Sequence, residues 1–336
     1  MDDIIRRIYE YIRKDNLIEK EDNLVLAISG GADSIFMLYT LNEVNEKYNL
    51  GINMVICHLN HMIRDEAIND LNYVKEVADK LNIKFFSKDV NIPLLNKEEK
   101  LGEEELGRRE RYIFFNEIGK EVFGKNYKIC TAHNLNDNTE TVLLNLIRGT
   151  GIEGLTGINN ITNNIIRPIL FVERYLIEKY LNERNIKYII DKTNLESEYS
   201  RNSIRNELIP FIKEKYNENF DQSIYRMSQI LRDENELLNK IITEIYNDEN
   251  IILNKNSNKN IIEIDLKKFN ELDIVIRRRL LRHILNEDFN VFTNISKVNI
   301  DDSIEMAYKN IGNKYTMFNK EIKLSILSGK VIIEKI

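Results

Sequence analysis

The N-terminal part of this sequence predicts an α/β fold, a parallel sheet with helices on both faces, and three observations carry that prediction. Strand-like runs recur at 24–28, 53–58, 83–88 and 127–132. Helix-length patterns near 34–48, 66–81, 103–123 and 137–148 separate them. Strands that are apolar on both faces and alternate with helices belong to buried parallel sheets. Polar clusters follow the strands, at the carboxyl ends where open α/β sheets bind ligands.

Taken in order, residues 4–19 read as a short amphipathic helix leading into the first strand, and the βα rhythm follows. Pro168 opens a transition to a helical pattern at 171–184, a strand is expected at 187–191, and Pro210 ends or kinks the next segment. From 213 to 290 the chain reads as mainly helical, including the long stretch 221–247, with a polar Asn/Lys-rich loop at 254–260. The tail 314–336 alternates like a hairpin around Ser328-Gly329. The expected division is a catalytic domain over 1–212, a helical domain over 213–295 and a small C-terminal unit over 296–336. No repeat occurs at solenoid spacing.

Composition narrows the class. With 43% hydrophobic and 30% charged residues, the chain has material for a real core. No apolar run is long enough for a membrane span, and the start, Met-Asp-Asp-Ile-Ile-Arg-Arg, lacks the apolar core of a secretory signal. The two cysteines, Cys57 and Cys130, form neither a C-x-x-C nor a disulfide framework, which points to a reducing cytoplasm and to small buried hydrophobes. A net charge of −6 argues against a general nucleic-acid binder but leaves room for an RNA enzyme with local basic patches.

The most informative segment is Ser29-Gly30-Gly31-Ala32-Asp33-Ser34, between a buried strand and a helix. Successive amides there can converge on an anion at the helix N-terminus, and two glycines let the phosphate approach closely. No lysine is present, so this is not the loop that grips β/γ-phosphates for γ-transfer. Asp33 could instead hold Mg²⁺ bound to phosphate oxygens. An ordinary glycine-rich strand–helix turn is the plainer alternative.

Three further clusters weigh against the plain reading. After the second strand, His58 could meet a nucleobase and Arg64 a phosphate, with Asn60 and His61 between them. Of four histidines, three (His58, His61 and His133) follow strand ends. After the fourth strand, Asp137, Glu140 and Thr141 share one helix face. Asp137 could face Mg²⁺ opposite Asp33 while Glu140 grips an ammonium; first-turn acids that merely complement the helix dipole are the alternative. Later, Arg201 and Arg205 lie one helical turn apart and suit phosphate or nucleotide contacts, or else a surface salt-bridge lattice. The basic face Arg277-Arg278-Arg279 could contact an RNA backbone. Arg108 and Arg111 sit in a charge run that, alone, is a solvated face.

Together these residues resemble the tRNA(Ile)-lysidine synthetase family of the N-type ATP pyrophosphatase (PP-loop) superfamily. His58-x-Asn60-His61-x-x-Arg64 is similar to its H-x-N-H-x-L-R element, with Ile63 in the leucine place. Arg108 with Arg111-Tyr112 resembles its R-x-x-R-Y helix. Arg148-Gly-Thr-Gly with Gly154 and Gly157 resembles its glycine loop, and Arg167-Pro168 the R-P that follows. Asp191…Asn194…Arg201-Asn202-x-x-Arg205…Pro210 completes the likeness, which runs from about 22 to 212. The family's paired acids and glutamine are Asn136, Asp137 and Asn138 here, which puts any role of the first acid in doubt. Gly107 stands for a common alanine, and the long forms' further C-terminal signature is not found.

The resemblance implies a ligase that joins L-lysine to cytidine 34 in the CAU anticodon of tRNA(Ile). ATP first adenylates the cytosine O2, releasing pyrophosphate; the lysine ε-amine then attacks the C2 carbon and expels AMP. It implies ATP contacts at Ala27, Ser29, Gly30, Gly31, Ala32, Asp33, Ser34, His58, Asn60, His61 and Arg64, with Mg²⁺ between Asp33 and Asp137. His133, Glu140 and Arg205 fall in the lysine and reacting-base region. Arg108, Arg111, Arg201, Arg205, Arg277 and Arg278 become tRNA contacts. Two alternatives stand: a tRNA sulfurtransferase using the cysteines with an iron–sulfur cluster, and a nucleotide-binding regulator without catalysis. The oligomeric state, a homodimer among the options, stays open.

Overall fold

A computed structural model describes residues 2–60, 67–99, 102–189, 199–256, 261–291, 295–312 and 314–336. The chain divides into two compact units, Met1–Leu231 and Arg232–Ile336, and the division falls inside a helix.

Unit 1 opens with α1 (Asp2–Lys14), β1 (Asn23–Ala27), α2 (Ala32–Tyr48), β2 (Asn53–Asn60), α3 (Ala67–Lys80) and β3 (Lys84–Asp89). It continues with α4 (Ile92–Glu99), α5 (Glu103–Phe123), β4 (Lys128–Cys130), α6 (Leu135–Ile147), α7 (Ile152–Leu155), β5 (Ile161–Thr162) and β6 (Ile165–Ile166). Then come α8 (Arg174–Glu183), α9 (Tyr199–Ser203), a π-helical turn (Ile204–Leu208), α10 (Ile209–Lys215) and the first part of α11 (Phe220–Tyr246).

The sheet order is β3-β2-β1-β4-β6-β5, parallel except for the β5–β6 pair. Strand parity builds two cores. Leu24 and Leu26 of β1, Ile56 of β2 and Cys130 of β4 pack with α1, α2 and α8 on one face. Val25, Val55, Cys57 and Ile129 pack with Phe114, Phe115 and Ile118 of α5 on the other. Period-two alternation makes both faces apolar, which is why these strands read as continuous hydrophobic runs. The chain order reverses direction at β1, so the crevice beyond β1 and β4 is the topological switch point.

Ahead of Pro210 the helix widens. Ile209 donates to the Ile204 carbonyl, five residues back. Proline supplies no N–H and crowds the preceding turn, and a π-turn is one way to accommodate it without breaking the helix. Of the expected strand at 187–191, the described residues 187–189 form one bridge, between Gly31 and Ile189; residues 190–198 lie outside the described residues.

Unit 2 holds the remainder of α11, then β7 (Ile252–Asn256), β8 (Ile261–Asp265), α12 (Leu266–Glu271), α13 (Ile274–Glu287), α14 (Lys297–Tyr308), β9 (Tyr315–Met317), β10 (Ile322–Leu327) and β11 (Lys330–Lys335). Its antiparallel sheet runs β7-β8-β11-β10-β9. The C-terminal hairpin forms at Ser328-Gly329, both with positive φ. Two strands at 252–265 are absent from the sequence reading, which has a mainly helical segment broken by a polar loop. β7 is an edge strand whose Asn254, Lys255 and Asn256 read as polar loop, and β8 is short and pairs both with β7 and with the distant β11, so local periodicity carries little of either.

Candidate active site

The loop after β1 and the loop after β4 meet at the switch point. Gly30 has φ +91°, and a Cβ there would lie 2.3 Å from Cδ1 of Ile189, whose N–H donates to the Gly30 carbonyl at 3.0 Å. Gly31 starts α2 in an extended conformation, with no side chain taking the first helical amides. The Gly30 amide donates to Ser34 Oγ at 3.2 Å and the Gly31 amide to Ser29 Oγ at 3.4 Å. Ser34 Oγ in turn donates to the Gly31 carbonyl at 2.9 Å. A phosphate oxygen can replace those hydroxyls on amides that already converge at a helix N-terminus. Gly30→Ala must both adopt a left-handed φ, costing about 1–2 kcal/mol, and displace Ile189. The expected result is a lower Tm and nucleotide affinity reduced roughly tenfold or more, measured by thermal melting and equilibrium dialysis.

One asparagine aligns two acids. Asn134 is 3% exposed and caps α6: its Oδ1 accepts from the Asp137 amide at 3.0 Å, and its own amide donates to Asp137 Oδ2 at 3.0 Å. This reciprocal capping box fixes the Asp137 rotamer. Asn134 Nδ2 donates to Asp33 Oδ1 at 3.0 Å, tying α6 to α2. The other oxygens meet guanidinium groups, Arg174 Nη1 at 2.5 Å from Asp33 Oδ2 and Arg205 Nη2 at 3.4 Å from Asp137 Oδ1. Burial pushes the Asp33 carboxyl up to about 6; Arg174 opposes that and the Asp137 charge adds to it. Two aligned carboxylates whose outer oxygens already face cations are a hard-oxygen donor set that fits Mg²⁺.

Glu140 lies one turn beyond Asp137 and is 1% exposed. Its oxygens accept from Arg201 Nε at 3.0 Å and from Arg205 Nε and Nη2 at 2.5 and 2.9 Å. The sequence reading has Glu140 gripping a substrate ammonium and the arginines facing phosphate. In the structure the carboxylate holds both arginines, and the π-turn carries Arg205. His133 Nδ1 lies 3.1 Å from Thr131 Oγ1. Burial, together with Arg167, Arg108, Arg201 and Arg111, pushes its pKa down to about 3. The ring is therefore a neutral donor–acceptor amid positive charge, and its nitrogen-15 shifts are expected to stay flat between pH 5 and 8.

His58, expected against a nucleobase, is 5% exposed, with Nδ1 2.9 Å from the Ile28 carbonyl. A backbone carbonyl accepts only, so Nδ1 carries the proton, and burial lowers the pKa of this ring. Asn60 Nδ2 donates to Asp89 Oδ1 at 2.9 Å. His61 and Arg64 lie outside the described residues. Ala27 ends β1 beside Cys57, and Ala32 is 2% exposed in the first turn of α2. Arg108 sits over the Tyr112 ring at 5.7 Å, and Arg111 Nε donates to the Gly107 carbonyl at 3.2 Å. In unit 2, Arg278 pairs with Asp301 at 2.6 Å, while Nε and Nη1 of Arg277 are enclosed without a hydrogen-bond partner among the described residues.

Sequence reasoning missed Asn134, Arg174 and Asp221. The N-x-x-D spacing of the cap was legible for the first. Nothing local marks the others, which tertiary packing alone brings here. Asn138, fully buried, accepts from the Ile158 amide at 2.8 Å and donates to Ser228 at 3.3 Å. It pins the glycine loop at Gly157, where a Cβ would come 2.2 Å from Asn138 Oδ1.

A family model for the PP-loop domain matches residues 1–212. The tRNA(Ile)-lysidine synthase of Clostridioides difficile is 38% identical over 321 residues, 95% of this chain and 68% of that protein. The chain belongs to the tRNA(Ile)-lysidine synthase family. The family member from Caldanaerobacter subterraneus subsp. tengcongensis is 42% identical over 282 residues, 84% of this chain, and the match spans 58% of that relative's length. The U34-tRNA thiolase NcsA of Methanococcus maripaludis, a structure with a 4Fe-4S cluster, shares the fold: TM-score 0.54 and 18% identity over 68% of this chain and 78% of that one. The cysteines do not extend that likeness. Cys57 and Cys130 are fully buried in the cores on opposite faces of the sheet, and burial pushes both thiols up, Cys57 to about 12. No helix among the described residues is long and apolar enough to cross a membrane.

Proposed function

We propose that this chain uses ATP to join L-lysine to the C2 carbon of cytidine 34 in the CAU anticodon of tRNA(Ile), through an adenylated cytidine, releasing pyrophosphate and AMP. The observation that carries the reading is the convergence of the Gly30–Gly31 amides, Asp33 and Asp137 at one switch point, with an arginine-rich wall beside them. The loop amides receive the departing pyrophosphate. Mg²⁺ held by Asp33 and Asp137 would offset the charge that builds on the phosphates. Asn134 sets the separation of the two acids.

The second step needs a neutral amine. His133 is neutral at working pH and can hydrogen-bond the attacking ε-amine, but with a pKa of about 3 it is too weak a base to keep the proton that the amine sheds, which passes to water. Arg201 and Arg205, fixed by Glu140, offer donors to the adenylate as it leaves and to the anticodon backbone. Arg108, Arg111, Arg277 and Arg278 add cationic contacts to the tRNA body, and residues beyond 212 serve its recognition. An unpaired anticodon base can be splayed out for capture, as sequence-specific RNA readers require. The reaction class is tested by product analysis: AMP and pyrophosphate, formed only when the tRNA is present, are expected. ADP with inorganic phosphate would exclude adenylation.

A further inference from the structure

We propose that Arg174 is a phosphate-binding residue that guards Asp33 in the nucleotide-free chain and moves to a phosphate oxygen of ATP when a divalent cation takes Asp33. This rests on the reading above that ATP binds at the Ser29–Ser34 loop. Arg174 begins α8, where a positive side chain opposes the helix dipole, so helix stability does not explain it. Its Nη1 is 2.5 Å from Asp33 Oδ2 and its Nε 2.8 Å from Glu178 Oε1, while Nη2 makes no hydrogen bond among the described residues. The side chain is 41% exposed, so the guanidinium can swing. A cation on Asp33 Oδ2 needs the same oxygen that Arg174 holds. Displacement leaves a planar fork of donors within reach of the loop amides, and that fork matches a phosphate.

The start of α8 is itself anchored. Asn136 Oδ1 accepts from the Arg174 amide at 2.9 Å, and Asn136 Nδ2 donates to Asp221 Oδ2 at 3.1 Å. Asp221 is 2% exposed and also takes Lys213 Nζ at 2.9 Å. Asn136 is therefore a positioning residue for Arg174. An aspartate there would set a second carboxylate against a buried one that has a single lysine to balance it. Exchanging the two identities, Asn136→Asp with Asp221→Asn, keeps one charge and one amide in the pair.

The test measures binding of a non-hydrolysable ATP analogue to the full chain by calorimetry across a Mg²⁺ series. Arg174→Gln is expected to weaken the analogue roughly ten- to hundredfold at saturating Mg²⁺. It should also lower the Mg²⁺ concentration that gives half-maximal binding, because the competing cation is gone; Arg174→Lys should recover part of the affinity. Asn136→Asp should weaken binding, and the exchanged double variant should restore it. Wild-type affinity and an unchanged Mg²⁺ midpoint in Arg174→Gln would overturn the proposal alone. A wild-type chain that binds no analogue would overturn the ATP reading with it. Failure of the exchange to rescue a folded Asn136→Asp, judged by its Tm, would overturn the positioning role.

Discussion

Asp33→Asn is expected to cut pyrophosphate release by roughly a thousandfold while making the nucleotide-free protein more stable. The loss follows from removing one of two carboxylates aligned by Asn134 where, on the proposed reaction, phosphate charge builds. The gain follows from the cost of keeping that acid charged. Its folded pKa is about 6, against 3.8 for the free side chain, chiefly because of burial. Well below pH 4 the carboxyl is protonated in both states and contributes nothing. Between 4 and 6 the unfolded chain releases its proton first, so stability falls as pH rises. Above 6 the full penalty holds, about 3 kcal/mol. The variant's extra stability should therefore be small at pH 4, grow through pH 6 and level off above it, as read by urea melts across pH. A variant no more stable at pH 8 than at pH 4, relative to wild type, would contradict the burial account of Asp33.

Glu140→Ala is expected to have the second largest effect. The carboxylate is enclosed and holds two guanidiniums, so its removal strands Arg201 and Arg205. Breaking a fully buried pair costs about 3–5 kcal/mol. Here the arginine side chains keep 30% and 41% exposure and can rehydrate, so about 2 kcal/mol is the expected loss. Catalysis should fall further, by roughly a hundredfold, because misplacing groups by an ångström is enough for that. Nucleotide binding at the Ser29–Ser34 loop should survive, since no bond of Glu140 reaches it. Equal loss of nucleotide affinity and lysine transfer would show that Glu140 acts on the loop instead.

The sheet and the loop were legible because both are local. Leu24, Val25 and Leu26 are apolar for two different cores, and Gly30-Gly31 precedes a helix that needs no side-chain cap. The expected face shared by Asp137 and Glu140 exists, but helical spacing says nothing about the partners that arrive from elsewhere. Arg201 reaches Glu140 from α9 and Arg205 from the π-turn ahead of Pro210, and regular 3.6-residue spacing does not encode that turn. Arg174 and Asp221 were invisible, since each meets the site through contacts more than 80 residues apart in sequence. In unit 2, the strands at 252–265 were lost because edge strand β7 carries the polar Asn254, Lys255 and Asn256, and β8 pairs on its other side with distant β11.

The central claim is the transfer of lysine to cytidine 34. The decisive measurement incubates the purified chain with ATP, Mg²⁺, labelled L-lysine and a CAU-anticodon tRNA(Ile) transcript. Label bound to the tRNA, absent when cytidine 34 is replaced by uridine and absent with Asp33→Asn, is the expected result. Pyrophosphate release on that transcript with no lysine transferred would contradict it and assign the adenylated base to another nucleophile.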